Sequence, residues 1–208
     1  MKKQRIFQVL LLSILAVFFI SLNTQAQFIE VPEEDASCTS IMVGKKATAD
    51  GSVITSHTCD GNYRTWVTIE PHKYYDKGDM REIPWGKLHT ETPWDTRRVT
   101  IKGEIPQVEE TYAYYNVAYP AMNEKQLAMG ETTIGGKRDL RNDDGLFLIE
   151  NLQAIALERC TTAREAIQLM GNLATKYGYG DSGECLTVAD KNEVWHFEIF
   201  GSSVFEVS

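Results

Sequence analysis

Apolar and polar residues alternate in short runs along much of the chain, which is the pattern of half-buried β-strands. Predicted strands cover residues 38–43, 52–56, 64–69, 98–101, 111–115, 185–189 and 194–199. Trp195, Phe197 and Ile199 share one face of the last of these strands. Residues 71–97 are rich in Pro, Gly, Trp and charge, so we predict a long surface loop there.

Two later segments carry apolar residues at helical spacing instead. Leu148, Leu152 and Ile155 form the apolar stripe of one helix. A capping box at residues 162–165 starts the second helix, and Gly178 is a stop signal for it. Strands, then two helices, then strands predict an α+β fold in which the helices pack on a mainly antiparallel sheet.

The first two predicted strands form a hairpin, because Asp50-Gly51 between them tolerates the positive φ of a tight turn. This hairpin presents Cys38 at the free start of its first strand. We therefore hypothesise that Cys38 becomes the mature N-terminus and acts as the nucleophile of a hydrolase.

The segment before Cys38 has the features of a leader that is removed. Residues 1–5 are basic, residues 6–22 are apolar and small residues precede the next segment, which predicts a signal peptide over residues 1–26. An uncleaved membrane anchor is the alternative, since the apolar run is close to the minimum span of about 18 residues. Cleavage predicts an exported protein, periplasmic or extracellular, with no stable membrane anchor.

The rest of the chain divides into a short acidic segment, residues 27–37, and a domain of ordinary size, residues 38–208. The acidic segment is either a flexible start of the mature chain or a short propeptide that is removed before Cys38. The sequence stops at Ser208 just after a predicted strand, without a closing helix. We therefore expect the domain to be incomplete at its C-terminus.

Composition excludes some partners and leaves others open. The formal net charge of −8 argues against a nucleic-acid partner, because phosphate binding needs a basic face. The four cysteines show no C-x-x-C metal spacing, so we predict neither a metal nor another cofactor. A disulfide between two of them is compatible with export, but a nucleophile must remain a free thiol. A homo-oligomer is also compatible with the sequence.

A cysteine nucleophile needs a base, and no base stands out in the sequence near Cys38. At a new N-terminus, the α-amino group of Cys38 itself, with a reference pKa of about 8, can accept the thiol proton. Asp60 ends the second strand of the hairpin, and antiparallel pairing brings it back beside Cys38. We predict Asp60 as the catalytic residue that orients the amine, and an ordinary turn residue before Gly61 is the equally supported alternative.

The residues from Cys38 to Val53, followed by Asp60-Gly61, resemble the opening of the dipeptidase A family, whose relatives include the secernins. Segments within 123–129, 157–166 and 189–195 also resemble that family. The resemblance implies an N-terminal-nucleophile (Ntn) hydrolase fold, a four-layer αββα sandwich with two antiparallel sheets. It also implies removal of the leader and cleavage of dipeptides through an acyl-enzyme on Cys38. Members are usually longer than this chain, which agrees with an incomplete domain.

The chain departs from the family pattern at His57, where several relatives carry arginine three residues before the aspartate. We predict His57 as a substrate-binding residue, and a weak polar contact, a proton partner or a plain strand residue all remain open for it. The resemblance implies that residues 129–132 supply a backbone N–H to the oxyanion. Glu131 in that segment is predicted to bind the free amine of the substrate, with a solvated loop carboxylate as the alternative.

Three hypotheses of function follow from these observations. The leading one is an exported cysteine dipeptidase whose partners are small peptide substrates. The second keeps the fold but makes the substrate an N-acyl amide, as in penicillin V acylases and bile-salt hydrolases. The third is a non-catalytic envelope domain with Cys38 in a disulfide. Turnover of dipeptides against N-acyl amino acids separates the first two, and labelling of native thiols separates the third.

Overall fold

The computed structural model describes residues 37–61, 63–89, 99–201 and 203–207. The predicted signal peptide, residues 1–26, lies outside the described residues, as does the predicted leader up to residue 36. Within the described part of the chain, no helix is both long enough and apolar enough to cross a membrane.

Strands dominate the described residues. In chain order they are β1 (Ser37–Val43), β2 (Ile54–Asp60), β3 (Thr68–Glu70), β4 (Lys73–Tyr74), β5 (Met80–Gly86), β6 (Val99–Pro106), β7 (Glu110–Thr111), β8 (Tyr114–Asn116), β9 (Met122–Asn123), β10 (Ala128–Gly135), β11 (Gly183–Ala189), β12 (Val194–Phe200) and β13 (Ser203–Val207). The α-helices are α1 (Ile149–Arg159) and α2 (Ala163–Tyr177), and a short 3-10 helix covers Arg138–Leu140.

Seven strands form one antiparallel sheet in the order β13-β12-β11-β10-β9-β8-β3. In its middle, β10 pairs with β11, with Gly130 opposite Thr187 and Glu131 opposite Leu186. Successive side chains point to opposite faces of a strand, so Leu186 and Thr187 lie on different faces of the sheet. Every residue of β11 is buried, which means that both faces are covered.

Both helices cover one face of this sheet. Leu152 and Ile155 of α1 and Met170 of α2 are fully buried. They belong to the same hydrophobic core as Leu186 and Phe197 of the sheet. The helical spacing found in the sequence therefore marks the faces that pack on the sheet.

The two ends of α2 follow the signals in the sequence. Thr162 Oγ1 accepts a hydrogen bond from the N–H of Glu165, and Glu165 Oε2 accepts one from the N–H of Thr162. Gly178 ends the helix with a φ of 83°, a backbone conformation that favours glycine. The predicted start and stop of this helix are both confirmed.

The β1–β2 hairpin covers the opposite face of the sheet. Thr55 Oγ1 of β2 shares a hydrogen bond of 2.5 Å with Thr187 Oγ1 of β11. Gly130 permits the close approach, because a Cβ there would lie 2.9 Å from His57 Nδ1. The layers are thus the helices, the seven-stranded sheet and the hairpin, in agreement with the predicted α+β class.

The long loop predicted over residues 71–97 is wrong in part. Its middle forms β5, which pairs with β6 in a separate two-stranded sheet. Ile83 of β5 and Ile105 of β6 are buried in the main hydrophobic core. The sequence did not predict β5 because Pro84 lies within it, and proline within a run weakens the strand signal. The pairing of β5 with β6 shifts register at this proline.

Candidate active site

Cys38 lies directly opposite Cys59 in the β1–β2 hairpin. Both thiols are half-buried, and neither is in a disulfide. Glu131 of β10 completes the group, because the two sulfur atoms and one carboxylate oxygen all lie within 4.8 Å of one another. Strand pairing and sheet packing thus bring together three reactive side chains from distant parts of the sequence. We call these three residues the thiol–carboxylate cluster.

Hydrogen bonding from the backbone N–H groups of Thr133 and Asp60 and from the thiol of Cys59 lowers the pKa of the Cys38 thiol. Burial raises the pKa of Cys38 most strongly, and the negative charge of Glu131 adds to that effect. The hydrogen bonds offset only part of this rise in the pKa of Cys38. In the uncut chain the thiol is therefore protonated at neutral pH, and attack by its sulfur requires a base.

Asp60 pairs with Ser37 at the end of the hairpin, beside the peptide bond that joins Ser37 to Cys38. The predicted return of Asp60 to the start of β1 is confirmed in this sense. Its side chain is exposed, and Thr58 Oγ1 donates to its Oδ2 over 3.4 Å. A carboxylate at this position can turn towards an amine at the start of β1.

Glu131 is fully buried and lies within β10, so its interpretation as a solvated loop carboxylate is wrong. Its Oε1 accepts a hydrogen bond of 3.0 Å from Thr133 Oγ1, whereas its Oε2 has no donor among the described residues. The buried carboxyl group of Glu184 is its neighbour. Burial raises the pKa of Glu184, and the nearby Glu131 raises it further. Glu184 is therefore protonated and uncharged at neutral pH.

His57 precedes Cys59 by two residues on β2 and crowds Gly130 together with Thr187. Burial lowers the pKa of His57, and the charge of Glu131 reverses only part of that effect. The imidazole is therefore neutral at physiological pH. The structure places His57 between the hairpin and the sheet rather than in the thiol–carboxylate cluster. Its role in substrate binding stays a prediction.

A group of aromatic and acidic side chains that the sequence reasoning missed lies nearby. The rings of Tyr63 and Tyr119 are 5.7 Å apart, and His89 stacks on Tyr119 with the ring centroids 5.4 Å apart. His89 Nδ1 and Glu150 Oε1 share a hydrogen bond of 2.6 Å. Burial lowers the pKa of His89, but the hydrogen bond and charge of Glu150 outweigh burial and leave that pKa raised.

This aromatic group borders the thiol–carboxylate cluster. Burial raises the pKa of Tyr63, and the charges of Cys38 and Glu131 add to the rise. The only indication of this group in the sequence is that Tyr63 lies three residues after Asp60, a predicted site residue. The other members come from separate loops and from α1, so no spacing in the sequence connects them.

The site combines a reachable thiol with an excess of buried acid. Oxygen atoms of Glu131, Glu150 and Glu184 have no hydrogen-bond donor within the described residues. A positively charged group on a ligand would satisfy these oxygens, whereas an anion would be repelled. The arrangement therefore favours a ligand that carries a positively charged group near the Cys38 thiol.

We expect Glu131→Gln to speed the alkylation of Cys38 by iodoacetamide at pH 8. Loss of the negative charge lowers the pKa of the Cys38 thiol, and only the thiolate reacts, so the reactive fraction rises at constant pH. Mass spectrometry of the Cys38 peptide follows the rate. Glu198→Gln is a matched control, because the charge of Glu198 acts on Cys185 instead. An unchanged or slower rate at Cys38 would contradict the electrostatics assigned to Glu131.

Comparisons with known proteins agree with a peptidase. The family model described as Peptidase family C69 matches residues 37–205. A probable dipeptidase of Latilactobacillus sakei is 29% identical over 187 residues, covering 80% of this chain and 35% of the relative. A probable dipeptidase B of Lactococcus lactis subsp. lactis is 30% identical over 177 residues, covering 79% of this chain and 35% of the relative. The chain therefore spans about a third of the length of these curated relatives.

Proposed function

The chain belongs to peptidase family C69, and we propose that its domain hydrolyses the amide bond of dipeptides with Cys38 as the nucleophile. The observation that carries this proposal is the half-buried thiol of Cys38 next to the buried carboxylate of Glu131. Two relatives named as probable dipeptidases support the substrate class. Because the chain spans about a third of their length, the activity of the whole protein is part of the proposal.

Removal of the residues before Cys38 supplies the missing base. The freed α-amino group has a reference pKa of about 8, and it is carried by the same residue as the thiol. It accepts the thiol proton directly or through one water molecule. The pairing of Asp60 with Ser37 supports a role for the Asp60 carboxylate in orienting this amine.

The reaction then proceeds by acyl transfer. The sulfur of Cys38 forms a bond to the carbonyl carbon of the substrate, and the carbonyl oxygen becomes an oxyanion. The backbone N–H groups of Thr133 and Asp60 lower the pKa of the Cys38 thiol, which supports them as donors to an oxyanion formed beside this sulfur. The C–N bond breaks as the leaving amine takes the proton, and water hydrolyses the thioester to restore the thiol. The family resemblance implies an oxyanion donor within residues 129–132, and Thr133 is the next residue along the chain.

The free ammonium group of a dipeptide is the cation that the buried carboxylates favour. Glu131 is fully buried and lacks a donor at Oε2, and its neighbour Glu184 has an oxygen in the same condition. A substrate ammonium would donate to both of these oxygens. His57 would act through Gly130, which it contacts, and so through the position of the next residue, Glu131.

The remaining parts of the proposal concern architecture and location. The helices, the seven-stranded sheet and the hairpin support an αββα Ntn-hydrolase sandwich, of which they would form three layers. Export to the periplasm or the exterior is supported by the basic start and apolar run of residues 1–26. Removal of the leader would then expose Cys38 outside the cytoplasm.

The substrate class is tested by comparing a dipeptide such as Ala-Ala with its N-acetylated form. We expect acetylation to lower kcat/KM by at least about 100-fold, because it removes the cation and leaves buried carboxylates unpaired. Glu131→Gln should reduce this preference, whereas Glu198→Gln, away from the cluster, should retain it. Faster turnover of N-acyl substrates by the unmodified protein would favour an amide hydrolase of the penicillin V acylase or bile-salt hydrolase type instead.

A further inference from the structure

We propose that the thiol–carboxylate cluster of Cys38, Cys59 and Glu131 is a binding site for a thiophilic divalent cation such as Zn²⁺. The sulfur atoms and one carboxylate oxygen lie within 4.8 Å of one another. The inference goes beyond the proposed peptidase activity and does not depend on it, because the three ligands are already together in the uncut chain.

The buried carboxylate provides an independent indication of a cation. Glu131 has no exposed surface, and its Oε2 has no hydrogen-bond donor among the described residues. The group that it faces is another buried carboxyl, that of Glu184, which also carries an oxygen without a donor. A positive ion bound to Glu131 would satisfy a buried carboxylate oxygen that has no hydrogen-bond donor among the described residues.

The chemistry of the ligands selects the ion. Two thiolates and a carboxylate suit Zn²⁺, whereas Mg²⁺ and Ca²⁺ prefer oxygen ligands alone. With Zn–S bonds of about 2.3 Å and Zn–O bonds of about 2.0–2.2 Å, tetrahedral ligand atoms lie roughly 3.5–3.8 Å apart. The ligand atoms therefore have to approach one another by at most about 1.3 Å, which side-chain rotation can supply. A water molecule takes the fourth position.

Binding has a balanced stoichiometry and a direct consequence for reactivity. Each Zn²⁺ displaces the protons of the Cys38 and Cys59 thiols, forms two Zn–S bonds and releases two protons to the buffer. The sulfur lone pair of Cys38 is then engaged by the metal and unavailable for attack. Zn²⁺ is thus a reversible blocker of the thiol rather than a cofactor.

The spacing of these three residues in the sequence does not indicate a metal site. Cys38 and Cys59 are 21 positions apart, and Glu131 is distant from both. The cross-strand register of β1 and β2 and the packing of that hairpin on β10 create the cluster. The absence of a C-x-x-C motif led to the prediction of no metal, and this proposal revises that prediction.

The test is titration of the reduced full chain with Co²⁺ and then Zn²⁺ in the absence of chelators. We expect one ion per chain, a thiolate-to-cobalt charge-transfer band in the near ultraviolet, and displacement of cobalt by zinc. Cys59→Ser should weaken binding by more than the roughly 10–100-fold typical of residues that only support a ligand. Cys160→Ala, which removes a buried thiol outside the cluster, should leave binding unchanged.

Thermal unfolding of each variant, without metal, establishes that the compared chains are folded. Should Cys59→Ser fold poorly, Glu131→Gln and Cys38→Ser provide the same comparison, each with the expectation of weaker binding. Equal metal affinity in the wild type and in a folded cluster variant, or a cobalt complex without the thiolate band, would overturn the proposal. The titration does not require enzymatic activity, so its result remains valid even if the peptidase assay detects no hydrolysis.

Discussion

Replacing Cys38 with alanine is expected to abolish dipeptide hydrolysis, with kcat lowered by about four to six orders of magnitude. The substitution removes the atom that forms the acyl-enzyme, and no other thiol can take its place. Cys59 lies opposite Cys38 and is half-buried, but it lies inside the hairpin and cannot gain an α-amino group. Its pKa is raised to about 12 by burial and by nearby negative charges.

The measurement is release of amino acids from dipeptides by purified wild-type and variant chains. Cys160→Ala is the control, because Cys160 is a buried thiol of the helical core and should retain activity. Residual turnover within about tenfold of the wild type in Cys38→Ala would exclude Cys38 as the nucleophile.

The second large effect concerns stability. Asn123→Ala should lower the free energy of unfolding by about 3–5 kcal/mol, since about 1 kcal/mol is lost per hydrogen bond and buried partners are left unpaired. Asn123 is buried, and its Nδ2 donates to the carbonyl oxygens of Leu157 and Cys160 at 2.8 and 2.9 Å. Its Oδ1 accepts from the N–H groups of Lys125 and Leu127, both at 3.0 Å. One side chain thus ties the end of α1 to the turn between β9 and β10.

Urea denaturation gives the unfolding free energies for this comparison. Asn172→Ala is the matched control, because Asn172 is exposed on α2 and its side chain hydrogen-bonds only to Gln168 among the described residues. We expect that control to stay within about 0.5 kcal/mol of the wild type. A loss below about 1 kcal/mol in Asn123→Ala would contradict the role assigned to its four hydrogen bonds.

Local signals were sufficient for the elements whose stability is local. The β1–β2 hairpin and the capping box of α2 follow from short patterns, and the structure has both. The predicted tight turn of the hairpin is wrong, because a ten-residue loop, residues 44–53, joins the two strands. The return of Asp60 to the start of β1 also follows from antiparallel pairing alone. In these cases the interactions that fix the structure join residues on one strand pair or within one helical turn.

The strand β5 could not be predicted from its own residues. Pro84 lacks the N–H group that a sheet ladder uses, and Gly86 adds no side chain that would favour a strand. What holds β5 in place is its pairing with β6 and the burial of Ile83 in the common core. These are tertiary interactions, and the alternation of apolar and polar residues along the chain does not predict them.

The burial of its acidic side chains is the feature of the candidate site that is hardest to predict from the sequence. A glutamate in a polar segment predicts exposure, because burial of a carboxylate is costly without a partner. Glu131 is nevertheless buried, since it lies on an inner strand of the seven-stranded sheet, opposite the core residue Leu186, and both faces of the sheet are covered there. Likewise, His89 and Glu150 meet across 61 residues, and neither residue alone indicates that contact.

The mechanism depends above all on a free amine at Cys38, and the most direct measurement is the N-terminal residue of the mature, active protein. Intact-mass analysis and N-terminal sequencing of wild-type protein should give a chain that begins at Cys38. The Cys38→Ala chain, analysed in parallel, shows whether the thiol itself is needed for that cleavage. Active protein in which Cys38 is still joined to Ser37 would contradict the proposed base and with it the mechanism.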